Sequence, residues 1–218
     1  MRIIVTGATG LVGAEVLRQA ILNPEVTSIT ALTRKAPTVV HDKIKVVLHQ
    51  DFENYSGLES LLNEHDAVVW ALGISQSQVS KPQYVKITYD FTLAMAYFIK
   101  IHKPEMKFLF VSGEGADTTE KSRAIFAKIK GKTENALRHI ELEHLYIVRP
   151  GGIKPIHPNP NTAFFNKLMI PLFPAFELFF PNMVISSVQL AKAILKLLQS
   201  SSNEVLYQNK ALKLLGTS

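Results

Sequence analysis

Short continuous apolar runs alternate with longer stretches whose apolar positions recur every three or four residues, from the start of the chain to about residue 149. The short runs read as strands buried on both faces, the longer ones as helices with one apolar stripe. Strands are predicted over residues 2–6, 27–33, 44–48, 67–72, 107–112 and 145–149. Helices are predicted over residues 11–22, stopped before Pro24, about 57–63, about 82–101, stopped before Pro104, and about 118–141. Ser80 with Gln83, and Asp117 with Glu120, have capping-box spacing at the starts of the last two; Ser186 with Gln189 opens a final helix to about Leu198. This alternation predicts βαβ units: an α/β fold, a doubly wound parallel sheet in three αβα layers, as one domain over residues 1–218. After Arg149 the alternation weakens. Pro150, Gly151 and Gly152 open a Pro-rich stretch, so residues 151–185 are expected to form a substrate-side loop and lid, followed by a small C-terminal annex.

The 218 residues are 47% hydrophobic and 19% charged, enough for one substantial core. Cysteine is absent, which excludes disulfides, thiolate nucleophiles and thiolate metal sites. The seven histidines stand singly, without zinc-ligand spacing, and no metal is expected. The first strand begins at once, which leaves no room for a signal peptide and predicts a cytoplasmic protein. Residues 169–185 are strongly apolar, but Pro171, Pro174, Glu177 and Pro181 interrupt them short of a membrane span. That segment is read as pocket wall, dimer contact, or a peripheral membrane or protein contact. The formal charge of +6 is spread along the chain rather than clustered, so a polyanionic cofactor accounts for it better than nucleic acid does. A small-molecule substrate and a monomer or homodimer are expected.

In a doubly wound sheet the ligand lies just past the carboxyl ends of the strands. The first predicted strand ends in Thr6-Gly7-Ala8-Thr9-Gly10-Leu11-Val12-Gly13. Gly7 and Gly10 leave backbone N–H groups uncovered for a pyrophosphate at a helix N-terminus, and Gly13 lets the helix lie close to the strand. Thr9, Leu11 and Val12 complete that loop. A strand-to-helix turn in another α/β protein would read the same way. After the second strand, Arg34 and Lys35 stand where an NAD-selective site carries an acid, so the cationic pair favours NADP(H) over NAD(H). The alternative is two solvated loop cations.

The Thr6–Gly13 motif, with Ser112-Gly113-Glu114-Gly115-Ala116-Asp117, Lys130-Gly131-Lys132 and Arg149-Pro150-Gly151, resembles the atypical short-chain dehydrogenase/reductases, in the Tat-interacting-protein-like and epimerase-like branch. The resemblance covers about residues 1–155 and the helix from Ser186. It implies a Rossmann fold with Asp51 and Phe52 at the adenine, and with Ala71, Leu72 and Gly73 under a cofactor ribose. It makes Ser112 and Lys130 catalytic, and sets Pro150 and Gly151 beside the nicotinamide. The sequence departs from the family's Y-x-x-x-K at one position, where Phe126 replaces the proton-donating tyrosine; no other Tyr has Lys four residues on. Phe126 equally suits the apolar stripe of its helix.

Three functions fit. The first is an NADPH-dependent oxidoreductase passing hydride to a small flat, carbonyl or quinone-type acceptor that needs no strong enzyme acid. The second is a non-catalytic, NADP-sensing binding protein. The third, nucleotide-sugar epimerisation, is weakened by the missing tyrosine and by the short chain after residue 150.

Overall fold

A computed structural model of the chain describes residues 1–157, 182–200, 202 and 204–217. Its strands are β1 (Arg2–Thr6), β2 (Ser28–Thr33), β3 (Ile44–Leu48), β4 (Ala67–Trp70), β5 (Lys107–Val111), β6 (Leu145–Arg149), β7 (Gly152–Lys154), β8 (Val184–Ser186) and β9 (Leu206–Gln208). Its helices are α1 (Leu11–Leu22), α2 (Glu59–Asn63), α3 (Lys81–Val85), α4 (Phe91–His102), α5 (Ile125–Ile140), α6 (Ser187–Gln199) and α7 (Asn209–Thr217). Seven strands make one parallel sheet in the order β3-β2-β1-β4-β5-β6-β9, and β7 pairs with β8 separately.

Successive side chains on a strand point to opposite faces, and the apolar runs supply both. Ile3, Val5, Val69, Leu109 and Val148 pack under α1 and α6 through Val16, Leu17, Leu190 and Ile194. Ile4, Val68, Trp70, Phe108, Phe110 and Ile147 pack under α2, α4 and α5 through Leu62, Met95, Ile99 and Leu137. The three-layer doubly wound architecture expected from the sequence is therefore present. Its annex consists of the β7–β8 pair, of β9 added at the sheet edge, and of α7 packed on α6. The order reverses between β1 and β4, the point at which a doubly wound sheet places a ligand crevice.

Three departures from the pattern reading bear on the site. The helix expected from about residue 118 begins at Ile125. Asp117 instead closes a loop, its carboxylate accepting from the N–H groups of Thr119, Lys121 and Ser122, while Glu120 is left-handed at φ 60°. The helix expected over about 82–101 runs from α3 to α4 through a π-helical turn at Lys86–Asp90. There the Thr88 carbonyl accepts from the hydroxyls of Thr92 (2.8 Å) and Thr133 (3.4 Å), which ties α4 to α5. The fourth strand stops at Trp70, so residues 71–73 belong to the turn beyond it. Both capping boxes led by serine, Ser80 with Gln83 and Ser186 with Gln189, are formed. The lid expected at 151–185 and the apolar segment 169–185 fall largely on residues 158–181, outside the described residues.

Helix α5 lies hard against the loop after β5, where a Cβ on Gly131 would stand 1.8 Å from the Asp117 carbonyl oxygen. Replacing Gly131 by alanine forces the two apart and should lower the unfolding free energy by about 1–3 kcal/mol. Urea titration reads this directly, and an unmoved midpoint would mean that the loop yields without cost.

Candidate functional site

The turn after β1 is shaped by backbone contact. Gly7 is left-handed at φ +63°, and a Cβ there would lie 2.2 Å from the carbonyl oxygen of Ala71, at the end of β4. A Cβ on Gly13 would lie 2.2 Å from the Gly7 carbonyl oxygen. Both positions exclude a side chain by close approach, and Gly7 does so also by a conformation that side chains disfavour. Thr6 stitches the crevice from below, its hydroxyl accepting from Leu72 N–H (3.2 Å) and donating to the Val69 carbonyl (3.4 Å). Gly10 caps α1 with its backbone alone, so no side chain covers the first N–H groups of that helix. A loop bare of side chains, at a helix N-terminus and a switch point, fits a pyrophosphate.

Around this loop, Arg34 and Lys35 are exposed past β2 and make no ion pair among the described residues. Asp51 is exposed past β3, and one of its oxygens accepts from Glu53 N–H in a local turn. Phe52 departs from its expected place at an adenine ring. It is 1% exposed, packed among His49, Tyr55, Trp70 and Phe91, so its ring serves the core. Ala71, Leu72 and Gly73 form the turn facing Gly7.

The ends of β5 and β6 carry a buried polar cluster. Ser112 donates to Glu134 Oε1 (2.5 Å), and Arg149 grips the same carboxylate through Nε (2.9 Å) and an η nitrogen (2.5 Å). Lys130 donates to the Val111 carbonyl (2.9 Å) and lies 4.7 Å from the centre of the Phe110 ring. Phe126, one turn before Lys130 on α5, sits over the turn that follows Ser112. A Cβ on Gly113 would be 2.7 Å from its Cζ atom. The helix thus presents position 126 to the strand ends, as a proton-donating phenol would require, but with a ring that has no proton to give. The side chain of Gln76, in the β4–α3 loop, accepts from Phe126 N–H (3.0 Å) and fixes that loop across the site. Pro150 is buried and accepts from Glu114 N–H (2.8 Å). Gly151 donates its N–H to the buried Asn209 (2.8 Å), which in turn donates to the Asn182 carbonyl (2.6 Å).

Sequence reasoning missed Glu134, Gln76 and Asn209. Glu134 had a usable signal, since it lies four residues after Lys130 and shares its helix face. Gln76 and Asn209 had none, because each acts on a partner far away in the chain. A cleft of about 600 Å³ opens at the opposite, amino-terminal ends of the strands, near Met1, Asp66, Lys103 and Lys107. Its lysines are committed to backbone, Lys103 to the Leu62, Asn63 and His65 carbonyls and Lys107 to those of Leu198 and Ser200. Among the described residues no cluster suited to a metal ion occurs, and no helix is long and apolar enough to cross a membrane.

With this geometry in view, the chain's similarities can be placed. The NAD(P)H-binding family model matches residues 7–201. The protein named FMP52, mitochondrial, of Candida albicans is 29% identical over 157 residues, 70% of this chain and 67% of that protein. Its namesake in Saccharomyces cerevisiae is 31% identical over 155 residues, 69% and 64% of the two chains. The chain thus spans about two thirds of the length of these relatives. Among solved structures, UDP-glucuronic acid 4-epimerase from Bacillus cereus in complex with NAD superposes with a TM-score of 0.69 at 15% identity, covering 95% of this chain and 76% of that one. The Bordetella bronchiseptica enzyme WbmF in complex with NAD+ gives 0.72 at 14% identity, covering 99% and 76%. At these identities the structures establish the fold alone. The names of the fungal relatives place them in mitochondria, which overturns the expectation of a cytoplasmic protein.

Burial holds the Lys130 ammonium down to about 8 from an ordinary 10.5, and Glu134 opposes the shift. Between about pH 8 and 10.5 the unfolded chain binds more protons than the folded one, so this residue makes stability rise with pH over that window. Measured against Lys130→Met in urea, the wild type should gain stability from about pH 7 to about pH 10. A difference that stays flat would contradict the burial described for this lysine.

Proposed function

The chain belongs to the NAD(P)H-binding family, and from that premise we propose that it is an NADP(H)-dependent oxidoreductase acting on a small flat acceptor of the quinone or flavin type. The coenzyme supplies a hydride. The chain's own residues hold it and shape the far side. The bare loop of residues 7–13 takes the pyrophosphate, and Arg34 and Lys35 take a 2′-phosphate through charge-assisted contacts. Asp51 takes the adenine amine, residues 71–73 pass under a ribose, and Pro150 and Gly151 border the nicotinamide. Lys130 steadies the adjoining ribose, and Ser112 orients the acceptor or the nicotinamide by accepting a hydrogen bond from it.

The observation that carries this reading is the ring of Phe126 against Gly113, at the position of the family's proton donor. General acid catalysis commonly contributes 10²- to 10⁴-fold, so an acceptor that takes hydride and draws its proton from water suits this site better than a simple ketone. Ser112 reinforces the point, because its hydroxyl hydrogen is committed to Glu134 and only lone pairs are left for a ligand. The same Phe126 supports a second reading, a non-catalytic protein that senses coenzyme. Epimerisation of a sugar nucleotide fits less well without the phenol.

Stopped-flow oxidation of NADPH against quinones, flavins and aldehydes separates these readings. Turnover with quinones or flavins well above that with aldehydes is expected, and Phe126→Tyr should raise aldehyde reduction by about 10²-fold. Absence of turnover with every acceptor, unchanged in the tyrosine variant, would leave the sensing role.

A further inference from the structure

The loop between β5 and α5 carries a carboxylate that the site as described does not use. Glu114 is exposed, two residues past Ser112, and its backbone N–H is held by the Pro150 carbonyl at 2.8 Å. One of its carboxylate oxygens lies 2.8 Å from where a Cβ on Gly151 would stand, so the charge rests directly over that glycine. No cation among the described residues is within salt-bridge distance of it. The neighbouring charges are already engaged: Arg149 is neutralised by Glu134, and Lys130 turns its ammonium to the Val111 carbonyl and the Phe110 ring. On the other side of the same turn stands the apolar ring of Phe126, against Gly113. The carboxylate is exposed, so it acts on a charge nearby as a partly screened surface group.

We infer that Glu114 tunes the coenzyme: its carboxylate favours the oxidised, positively charged nicotinamide over the reduced, neutral one. The inference rests on the reading that Gly151 borders the nicotinamide. Tighter binding of the oxidised form makes the bound reduced coenzyme a stronger hydride donor. A site that has lost the phenol which helps the acceptor thereby strengthens the donor instead. No proton passes through Glu114, which acts as a positioning charge.

The test is the pair of dissociation constants for NADP+ and NADPH, measured calorimetrically and repeated with NAD+ and NADH, for wild type, Glu114→Gln and Glu114→Asp. Glu114→Gln keeps the backbone bond to Pro150 and removes only the charge. It should weaken the oxidised form by about tenfold and leave the reduced form within about twofold, equivalent to about 30 mV in the potential of the bound couple. Glu114→Asp should retain part of the preference, which a merely structural side chain would not do. Equal changes in both forms, or none, would overturn this inference and leave the proposed oxidoreductase standing. If neither coenzyme pair binds the wild type, both fall together.

Discussion

The structure depends on one close approach between two stretches of backbone. At the end of β1 the chain must turn within 2.2 Å of the Ala71 carbonyl oxygen, measured from where a Cβ on Gly7 would be, and α1 must then pass equally close over Gly7 at Gly13. Only glycine meets both demands. The reward is a crevice at the point where strand order reverses, floored by peptide groups and headed by the N-terminus of α1. The register of β1 with β4, Thr6 opposite Trp70, and the Thr6 hydroxyl bonds to Val69 and Leu72 hold the two strand ends at that spacing. Everything downstream, from the exposed cations past β2 to the turn past β6, is arranged around this gap.

A second layer of order lies beneath the far end of the crevice. Glu134 is fully buried, yet it receives three hydrogen bonds, one from Ser112 and two from Arg149, so its charge is matched rather than stranded. Because Glu134 sits on α5, Ser112 just past β5 and Arg149 on β6, the cluster fixes the helix that carries Phe126 against the two strands that border the site. It also sets polarity, since Ser112 can only accept from a ligand. Apolar Phe126, acceptor Ser112 and the carboxylate of Glu114 offer no proton to a ligand, and the Lys130 ammonium is held by the Val111 carbonyl. Hydride chemistry with water as the proton source is consistent with that composition.

Much of this was legible before the structure. Three of the six expected strands, at residues 2–6, 44–48 and 145–149, and the first helix have the predicted bounds, because buried parallel strands and proline-stopped helices leave strong periodic signals. The glycine loop was legible for the same reason that it is irreplaceable. Other features were hidden by their physics. Asp117 and Glu120 have the spacing of a helix cap, but the aspartate side chain satisfied a loop of backbone N–H groups instead, and α5 starts later. Phe52 follows a strand end, where a ligand contact was expected, yet the aromatic cluster around Trp70 draws it inward. Strands β7, β8 and β9 are three residues each and borrow their partners from distant segments, so no local period announces them.

In the proposed reading a nicotinamide dinucleotide lies across the switch point between β1 and β4, with its nicotinamide end toward β5 and β6. Hydrogen–deuterium exchange with and without NADPH tests it most directly. Backbone amides in residues 7–13 and 71–73 should exchange more slowly, with a second protected group in residues 112–114 and 151–152 and with the cleft around Lys103 and Lys107 unaffected. Protection confined to that cleft, or none at saturating coenzyme, would rule this placement out.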